Sequence, residues 1–217
     1  MVYPNEFIPV AEETGMIVPL GWAVIRQACE QMSKWRLAAP GQDLSLSVNL
    51  SARQFAQPDL IERLLEVLED SGLDPTKLRL EIIESLIMDD AESAIAKLGR
   101  LRDLGLQLHL DDFGTGYSSL SYLHKLPTHT VKIDRSFVRR MTGEEGGRNE
   151  IIETIVSLAK SLGMHVAAEG METREQFQKL RKLECEYGQG YYFSRPVDGV
   201  EAQLLIDQSP QWKPIEG

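Results

Sequence analysis

Five strand-like segments carry apolar side chains on one face and polar side chains on the other, and this pattern constrains the fold most. In the segment 106–111, Leu106, Leu108 and Leu110 share one face, while His109 and Asp111 share the other. An open doubly wound sheet is covered on both sides and is therefore apolar on both faces. A second face that turns polar toward the carboxyl end of each strand favours a closed barrel instead.

Helix-like segments separate the strand candidates and give the order in which the elements follow. We predict strands at 43–50, 77–83, 106–111, 129–134, 164–169 and 189–193, and helices at 5–16, 19–39, 58–71, 90–104, 117–125, 148–162, 173–184 and 199–207. We predict a loop at 142–147. Regular alternation of this kind indicates parallel strands with covering helices. The prediction is an α/β fold, a TIM-like (β/α) barrel with about six of its eight strands in this chain.

Polar residues follow the predicted strands one after another at their carboxyl ends. They are Asn49, Glu81, Glu84, Asp111, Asp112, Lys132, Asp134, Glu169, Glu172 and Gln189. In (β/α)8 barrels these ends meet at one mouth, where the active site lies. Clustered oxygen ligands select hard cations such as magnesium or manganese. Two such ions can clamp a phosphoryl displacement, and Lys132 can orient the water or offset phosphate charge. The sequence predicts a metal-dependent phosphoester hydrolase.

Composition narrows the class of protein. The 217 residues carry a net charge of -10, which argues against sequence-independent nucleic-acid binding and leaves metal ions to neutralise an anionic substrate. The two cysteines, Cys29 and Cys185, favour free thiols in a reducing compartment. Neither a signal peptide nor an apolar run long enough for a membrane span is found. We expect a cytoplasmic protein with no membrane segment in this chain.

Several motifs resemble those of the EAL-domain cyclic di-GMP phosphodiesterases. They are Glu-Phe-Ile-Pro-Val-Ala-Glu-Glu-Thr-Gly at 6–15, Ser-Val-Asn-Leu-Ser at 47–51, Leu-Glu-Ile-Ile-Glu at 80–84, Asp-Asp-Phe-Gly-Thr-Gly-Tyr-Ser-Ser-Leu at 111–120, Val-Lys-Ile-Asp at 131–134, Ala-Glu-Gly at 168–170 and Gln-Gly-Tyr-Tyr-Phe-Ser-Arg-Pro at 189–196. The resemblance runs from about residue 4 to about residue 200. It implies a modified TIM barrel that cleaves cyclic di-GMP to linear pGpG in bacterial second-messenger signalling.

The resemblance also implies roles for particular residues. The implied cofactor is Mg²⁺ or Mn²⁺ in a two-metal site, with Ca²⁺ expected to bind without supporting turnover. The implied metal ligands are Asn49, Glu81, Asp111, Asp112 and Glu169. Lys132 would hold the attacking water, and we count it with Asp112 and Glu169 as catalytic. Asp134, Gln189 and Arg195 are the substrate-binding candidates, although a surface ion pair is an equal alternative for Arg195.

Loop and partner expectations follow from the same resemblance. Glu84 and Glu172 would steady the loop after Asp112, which includes Gly114, Thr115 and Gly116. In the family this loop often forms a dimer contact, so a homodimer through it is expected. We also expect fusion to sensor or other signalling domains in a longer protein.

One departure from the family pattern leaves the activity open. The Glu-Ala-Leu motif, whose glutamate is a metal ligand, is absent from this sequence. We therefore expect residues 1–217 to form a single EAL-like domain that lacks its first two strands. A catalytically impaired module that binds cyclic di-GMP or a protein partner without turnover is the alternative. A Schiff-base lyase using Lys132 is a third hypothesis, disfavoured because nearby carboxylates would keep the amine protonated.

Overall fold

The computed structural model describes residues 2–88, 90–114, 123–141 and 150–208. These residues group into two compact units, which are described separately. The first unit comprises residues up to 82 together with 96–108, and the second comprises 83–95 together with the described residues from 109 onward. The predicted loop at 142–147, and most of the predicted helix at 117–125, lie outside the described residues.

The elements alternate along the chain as predicted. The strands are β1 (Leu46–Asn49), β2 (Leu78–Ile83), β3 (Gln107–Phe113), β4 (Thr130–Ile133), β5 (His165–Ala168) and β6 (Tyr187–Gly188). The α-helices are α1 (Pro4–Thr14), α2 (Ile17–Ala38), α3 (Ala52–Phe55), α4 (Leu60–Ser71), α5 (Glu84–Met88), α6 (Ala91–Asp103), α7 (Arg135–Arg140), α8 (Glu150–Ser161), α9 (Arg174–Lys182) and α10 (Gly199–Gln208), and a 3-10 helix spans Pro75–Lys77.

The first unit is built on the parallel pair β1 and β2. Asn49 lies opposite Glu81 in the register of this pair, so two predicted ligands lie side by side on neighbouring strands. Helix α2 packs against both α4 and β1. The core is formed by fully buried aliphatic side chains, among them Leu60 and Leu64 of α4 and Leu80 of β2. Burial of these side chains supplies the main stabilising free energy of the unit.

The second unit carries the parallel strands β3, β4, β5 and β6 in chain order. Every residue of β4 is buried, including the polar Thr130 and Lys132. Helix α8 packs on β4 and β5 through a buried stripe that includes Ile152 and Ile155. The unit therefore holds a buried lysine within a parallel sheet, where an unpaired charge would be strongly unfavourable.

The sixth strand differs from its prediction. It spans Tyr187–Gly188, and the predicted segment 189–193 is a turn. The backbone N–H of Tyr192 donates to the carbonyl of Met171, and the N–H of Phe193 donates to Gly190. One bond to the segment after β5 and one bond within the turn replace the strand ladder, so the aromatic run that predicted a strand instead forms a turn.

Three short helices were not predicted. Helix α5 begins directly after β2, while α7 and α3 begin two and three residues after the strands before them. Ser51 and Asp134 cap the first and the third of them, each accepting a hydrogen bond from a backbone N–H of the first turn. These helices are too short to show apolar periodicity. Across the described ranges, no helix is long and apolar enough to cross a membrane.

Candidate active site

A register shift in β3 shapes the site. Leu110 pairs with Val131 and Phe113 pairs with Ile133, so two residues of β3, Asp111 and Asp112, face one residue of β4, Lys132. This is the arrangement of a β-bulge, which redirects side chains at the end of a strand. Asp112 adopts a left-handed backbone with φ +54°, a conformation that aspartate tolerates better than most residues. The bulge gives the two adjacent carboxylates different environments, Asp111 buried and Asp112 exposed.

Lys132 lies between two carboxylates in the second unit. Its Nζ is 3.2 Å from Asp111 Oδ1 and 2.6 Å from Glu169 Oε1. Lys132 is only 3% exposed, so these contacts offset the cost of burying its charge. The three residues come from the carboxyl ends of β3, β4 and β5. The structure therefore brings together three of the residues that the sequence placed at one mouth.

Asp111 and Asp112 differ electrostatically as well as in burial. Asp111 Oδ1 also accepts a hydrogen bond of 3.0 Å from the backbone N–H of Asp112. Burial, followed by the negative charges of Asp111 and Asp134, raises the pKa of Asp112 above its usual value, and Lys132 partly opposes that shift. A cation close to Asp112 would therefore favour its charged form.

The turns that follow β4 and β5 are fixed by Asp134 and Gly170. Asp134 accepts a 2.9 Å hydrogen bond from the backbone N–H of Ser136 and caps α7. Burial opposes ionisation of Asp134, but the hydrogen bonds from Ser136 and from the backbone N–H of Arg135, together with the charge of Arg135, hold its pKa below the usual value. Gly170 has φ +67°, and a Cβ there would overlap the Cβ of Arg135. The glycine after Glu169 thus permits a close approach that any larger residue would block.

The two residues predicted to steady the loop after Asp112 lie in different surroundings. Glu84 is 4% exposed, and its Oε2 accepts a 3.2 Å hydrogen bond from the backbone N–H of Gly114. Glu172 has an exposed side chain, and its backbone N–H donates to Gln176 Oε1. The remaining loop residues, Thr115 and Gly116 among them, lie outside the described part of the chain. The role of Glu172 stays a prediction.

The other predicted site residues are placed as follows. In the first unit, Glu81 is buried and Asn49 is exposed at the end of β1. In the second, Gln189 is exposed after β6, and its backbone N–H donates to Ala168. Arg195 is exposed, with its guanidinium carbon 4.7 Å from the ring centroid of Tyr191. Tyr191 did not enter the sequence-based prediction, which treated Arg195 alone.

The donor set of the second unit suits a hard cation. Carboxylate oxygens of Asp111 and Glu169 lie within 4.8 Å of each other. Oxygen-only donors of this kind fit Mg²⁺ or Mn²⁺ rather than the nitrogen and sulfur sites of structural zinc. The carboxylates of Asp111 and Glu169 are therefore suitable ligands for a divalent ion such as Mg²⁺ or Mn²⁺.

A family model of the EAL domain matches residues 1–196. The chain belongs to the EAL domain family. Among curated relatives, the EAL domain is 43% identical over 203 residues to the oxygen sensor protein DosP of Escherichia coli, covering 92% of this chain and 25% of DosP. It is 40% identical over 197 residues to the bifunctional diguanylate cyclase/cyclic di-GMP phosphodiesterase MucR of Pseudomonas aeruginosa, covering 91% of this chain and 28% of MucR.

Solved structures agree with this assignment. The PaMucR phosphodiesterase, determined as a complex with c-di-GMP, superposes with a TM-score of 0.88 at 38% identity and covers 93% of this chain and 81% of that one. The predicted α/β fold is confirmed, because the parallel strands and helices of this EAL domain match those of TIM-like EAL barrels. The chain spans about a quarter of the length of the curated relatives it matches.

Proposed function

We propose that this EAL domain hydrolyses cyclic di-GMP to linear pGpG. The observation that carries the proposal is the buried Lys132 between Asp111 and Glu169 at the carboxyl ends of neighbouring parallel strands. The membership of this chain in the EAL domain family, and its similarity to a phosphodiesterase solved with c-di-GMP, support the choice of substrate. An acidic chain with net charge -10 needs cations to accept a substrate with two phosphates.

A metal site completes the proposal. Asn49, Glu81, Asp111, Asp112 and Glu169 would hold Mg²⁺ or Mn²⁺, since all five offer oxygen donors. When bound, such ions lower the pKa of a coordinated water and offset charge on the phosphoryl oxygens. Ca²⁺ would bind to the same oxygens without supporting turnover. Glu84 would keep the site ordered by holding the backbone at Gly114.

The residues of the chain position the nucleophile. The ammonium of Lys132 pairs with Asp111 and Glu169. In the reaction an N–H of Lys132 would donate to the oxygen of the attacking water and orient it. The water oxygen gives up one proton and bonds to phosphorus, the bond from phosphorus to the 3′-oxygen breaks, and that oxygen takes up one proton, so that one water molecule is added overall. Asp134 and Gln189 would line the substrate side of this site.

Matched variants test the proposal. Purified protein is incubated with cyclic di-GMP and Mn²⁺ or Mg²⁺, and the products are separated by chromatography. Asp111→Asn and Lys132→Met are expected to lower the rate by at least about 100-fold, the usual size of such losses in positioned catalysis. Lys160→Met is the control, because Lys160 pairs with Glu184 at the surface of the same unit.

Each outcome of this experiment has a defined meaning. Metal-dependent pGpG formation that is lost in both site variants and kept in the control supports the proposal. Binding of cyclic di-GMP without turnover by the folded wild-type chain would contradict it and support the impaired binding module. Turnover that survives both site variants would refute the assigned residues.

A further inference from the structure

Helix α7 lies beside the two chain segments that follow β3 and β5 in the second unit. A Cβ placed on Gly114, directly after β3, would lie 3.5 Å from the ring of Phe137 in α7. A Cβ placed on Gly170, two residues after β5, would overlap the Cβ of Arg135 and lie 3.3 Å from its Cα. The start of α7 is therefore adjacent to the strand ends that carry the acidic residues of the candidate active site.

Arg135 is the first residue of α7 and directly follows the helix cap, Asp134. A cation is unfavourable in the first turn of a helix, because the helix dipole already places partial positive charge there. The side chain of Arg135 is exposed, and within the described ranges it takes part in no ion pair. The stability of α7 therefore does not account for an arginine at this position.

The charge of Arg135 acts on the acidic groups of the site. It is close enough to stabilise the carboxylates of both Asp112 and Asp134. Asp112 is a proposed metal ligand, so a phosphate drawn to an ion there would also come within range of the positive charge of Arg135. Lys132 is buried and already paired with two carboxylates, whereas the guanidinium of Arg135 is accessible to a ligand that enters from solvent.

We infer that Arg135 binds a phosphate group of cyclic di-GMP at the edge of the candidate active site. The inference rests on the substrate named in the proposed function. A guanidinium presents a planar fork of N–H donors that matches two phosphate oxygens, and such charge-assisted hydrogen bonds are stronger than neutral ones. In a chain with net charge -10, a cation beside the carboxylates also lowers the repulsion that an anionic ligand meets on entry. Arg135 is thereby a determinant of substrate affinity.

Binding measurements test this inference separately from catalysis. The 217-residue chain is titrated calorimetrically with cyclic di-GMP in Ca²⁺, and chromatography verifies that the ligand stays intact. Arg135→Ala is expected to weaken binding about tenfold, the lower limit for a hydrogen bond to a charged group, because the site is exposed. The difference from the wild type is expected to shrink in about 1 M salt, where the screening length is about 3 Å. The melting temperature in chelator is expected to stay unchanged, because an exposed charge contributes little to stability.

Further variants separate charge from side-chain size. Arg135→Gln keeps a long polar side chain without charge and is expected to bind as weakly as Arg135→Ala. Arg135→Lys keeps the charge without the planar fork, so its affinity is expected to lie between those of the wild type and Arg135→Gln. Arg139→Ala is the control, because Arg139 is an exposed arginine one turn further along the same helix, and this variant is expected to bind like the wild type.

The outcomes distinguish this inference from the proposed function. If Arg135→Ala and Arg135→Gln bind cyclic di-GMP as well as a wild type that also cleaves it, the inference is wrong while the proposed function stands. Equal weakening by Arg139→Ala would show a general effect of charge and would refute a contact specific to Arg135. If the wild type binds without turnover and Arg135→Ala binds more weakly, the inference stands and the proposed function fails. If the folded wild type neither binds nor cleaves cyclic di-GMP, both fail.

Discussion

Replacing Lys132 by methionine tests whether the lysine holds the carboxylates together. Methionine has a similar length and no charge, so the change removes the contacts of Nζ with Asp111, at 3.2 Å, and with Glu169, at 2.6 Å, and leaves the buried volume nearly filled. Asp111 and Glu169 then face each other, with carboxylate oxygens within 4.8 Å. Breaking a buried ion pair by removing one partner costs about 3–5 kcal/mol.

For Lys132→Met the loss of stability is expected near the lower end of the range for a broken buried ion pair. The side chains of Asp111 and Glu169 keep 12% and 20% of their surface exposed, so water partly screens their repulsion. We therefore expect the free energy of unfolding to fall by about 3 kcal/mol in chelator at pH 7. For a chain of this length that loss corresponds to a melting temperature lower by about 6–12 °C.

Urea unfolding followed by circular dichroism measures the effect, with Lys160→Met as the matched control. Lys160 pairs with Glu184 at the surface, where an ion pair contributes little to stability. Addition of Mg²⁺ is expected to recover part of the loss in Lys132→Met, because a cation can take the place of the ammonium between the carboxylates. A Lys132→Met variant as stable in chelator as the Lys160→Met control would refute the reasoning.

Three further changes test other parts of the structure. Asp112→Gly is expected to be about 1 kcal/mol more stable than Asp112→Ala in urea unfolding, because φ +54° strains a residue with a Cβ; equal stabilities would count against the left-handed backbone. Gly21→Ala is expected to lower the melting temperature, because its Cβ would overlap the buried amide of Gln54. Gly99→Ala has open space around its Cβ and is expected to raise the free energy of unfolding by about 0.5–1 kcal/mol. A stabilised Gly21→Ala together with a destabilised Gly99→Ala would contradict the packing. Asp134→Ala is expected to cost about 0.5–1 kcal/mol at pH 7 through the lost helix cap. The pKa of Asp134 in the folded state is below its usual value of 3.8. The contribution of the cap is therefore present above about pH 4 and is lost as the pH falls through the folded pKa. The unfolding curves of the variant and the wild type should then converge in acid.

The arrangement of the strands was predictable because apolar residues alternate along them. Val131 and Ile133 on one side, with Lys132 between them, indicated a strand with one polar position near its end. Parallel strands end on one side of a sheet, so the meeting of Lys132 with Asp111 and Glu169 followed from the order of the elements. The structure contains these contacts.

The bulge in β3 was not predictable from alternation. A strict two-residue period assigns Asp111 and Asp112 to the two faces of a regular strand, but the register shift places two residues of β3 opposite the single residue Lys132 of β4. The energetic difference between a regular and a bulged ladder depends on contacts with the neighbouring strand, which a local pattern does not contain. The one local signal of an irregular strand end was the pair of adjacent acidic residues, Asp111 and Asp112, shortly before Gly114.

The turn at 189–193 was mistaken for a strand for a related reason. Tyr191, Tyr192 and Phe193 have high strand propensity, but their conformation is set by bonds to Met171 and by stacking on Phe177. Both partners are distant in sequence. Tyr191 could have been noticed earlier, because an aromatic residue four positions before Arg195 allows a stacked pair within one turn of chain.

The source of the oxygen added to the product tests the central claim most directly. The wild-type chain is incubated with cyclic di-GMP and Mn²⁺ in water enriched in heavy oxygen, and the product is analysed by mass spectrometry, with chelator as the control. The account predicts pGpG that carries one heavy oxygen in its terminal phosphate, formed only with the metal. A folded sample that forms no pGpG, or forms it without the label, would contradict attack by a water molecule held at Lys132.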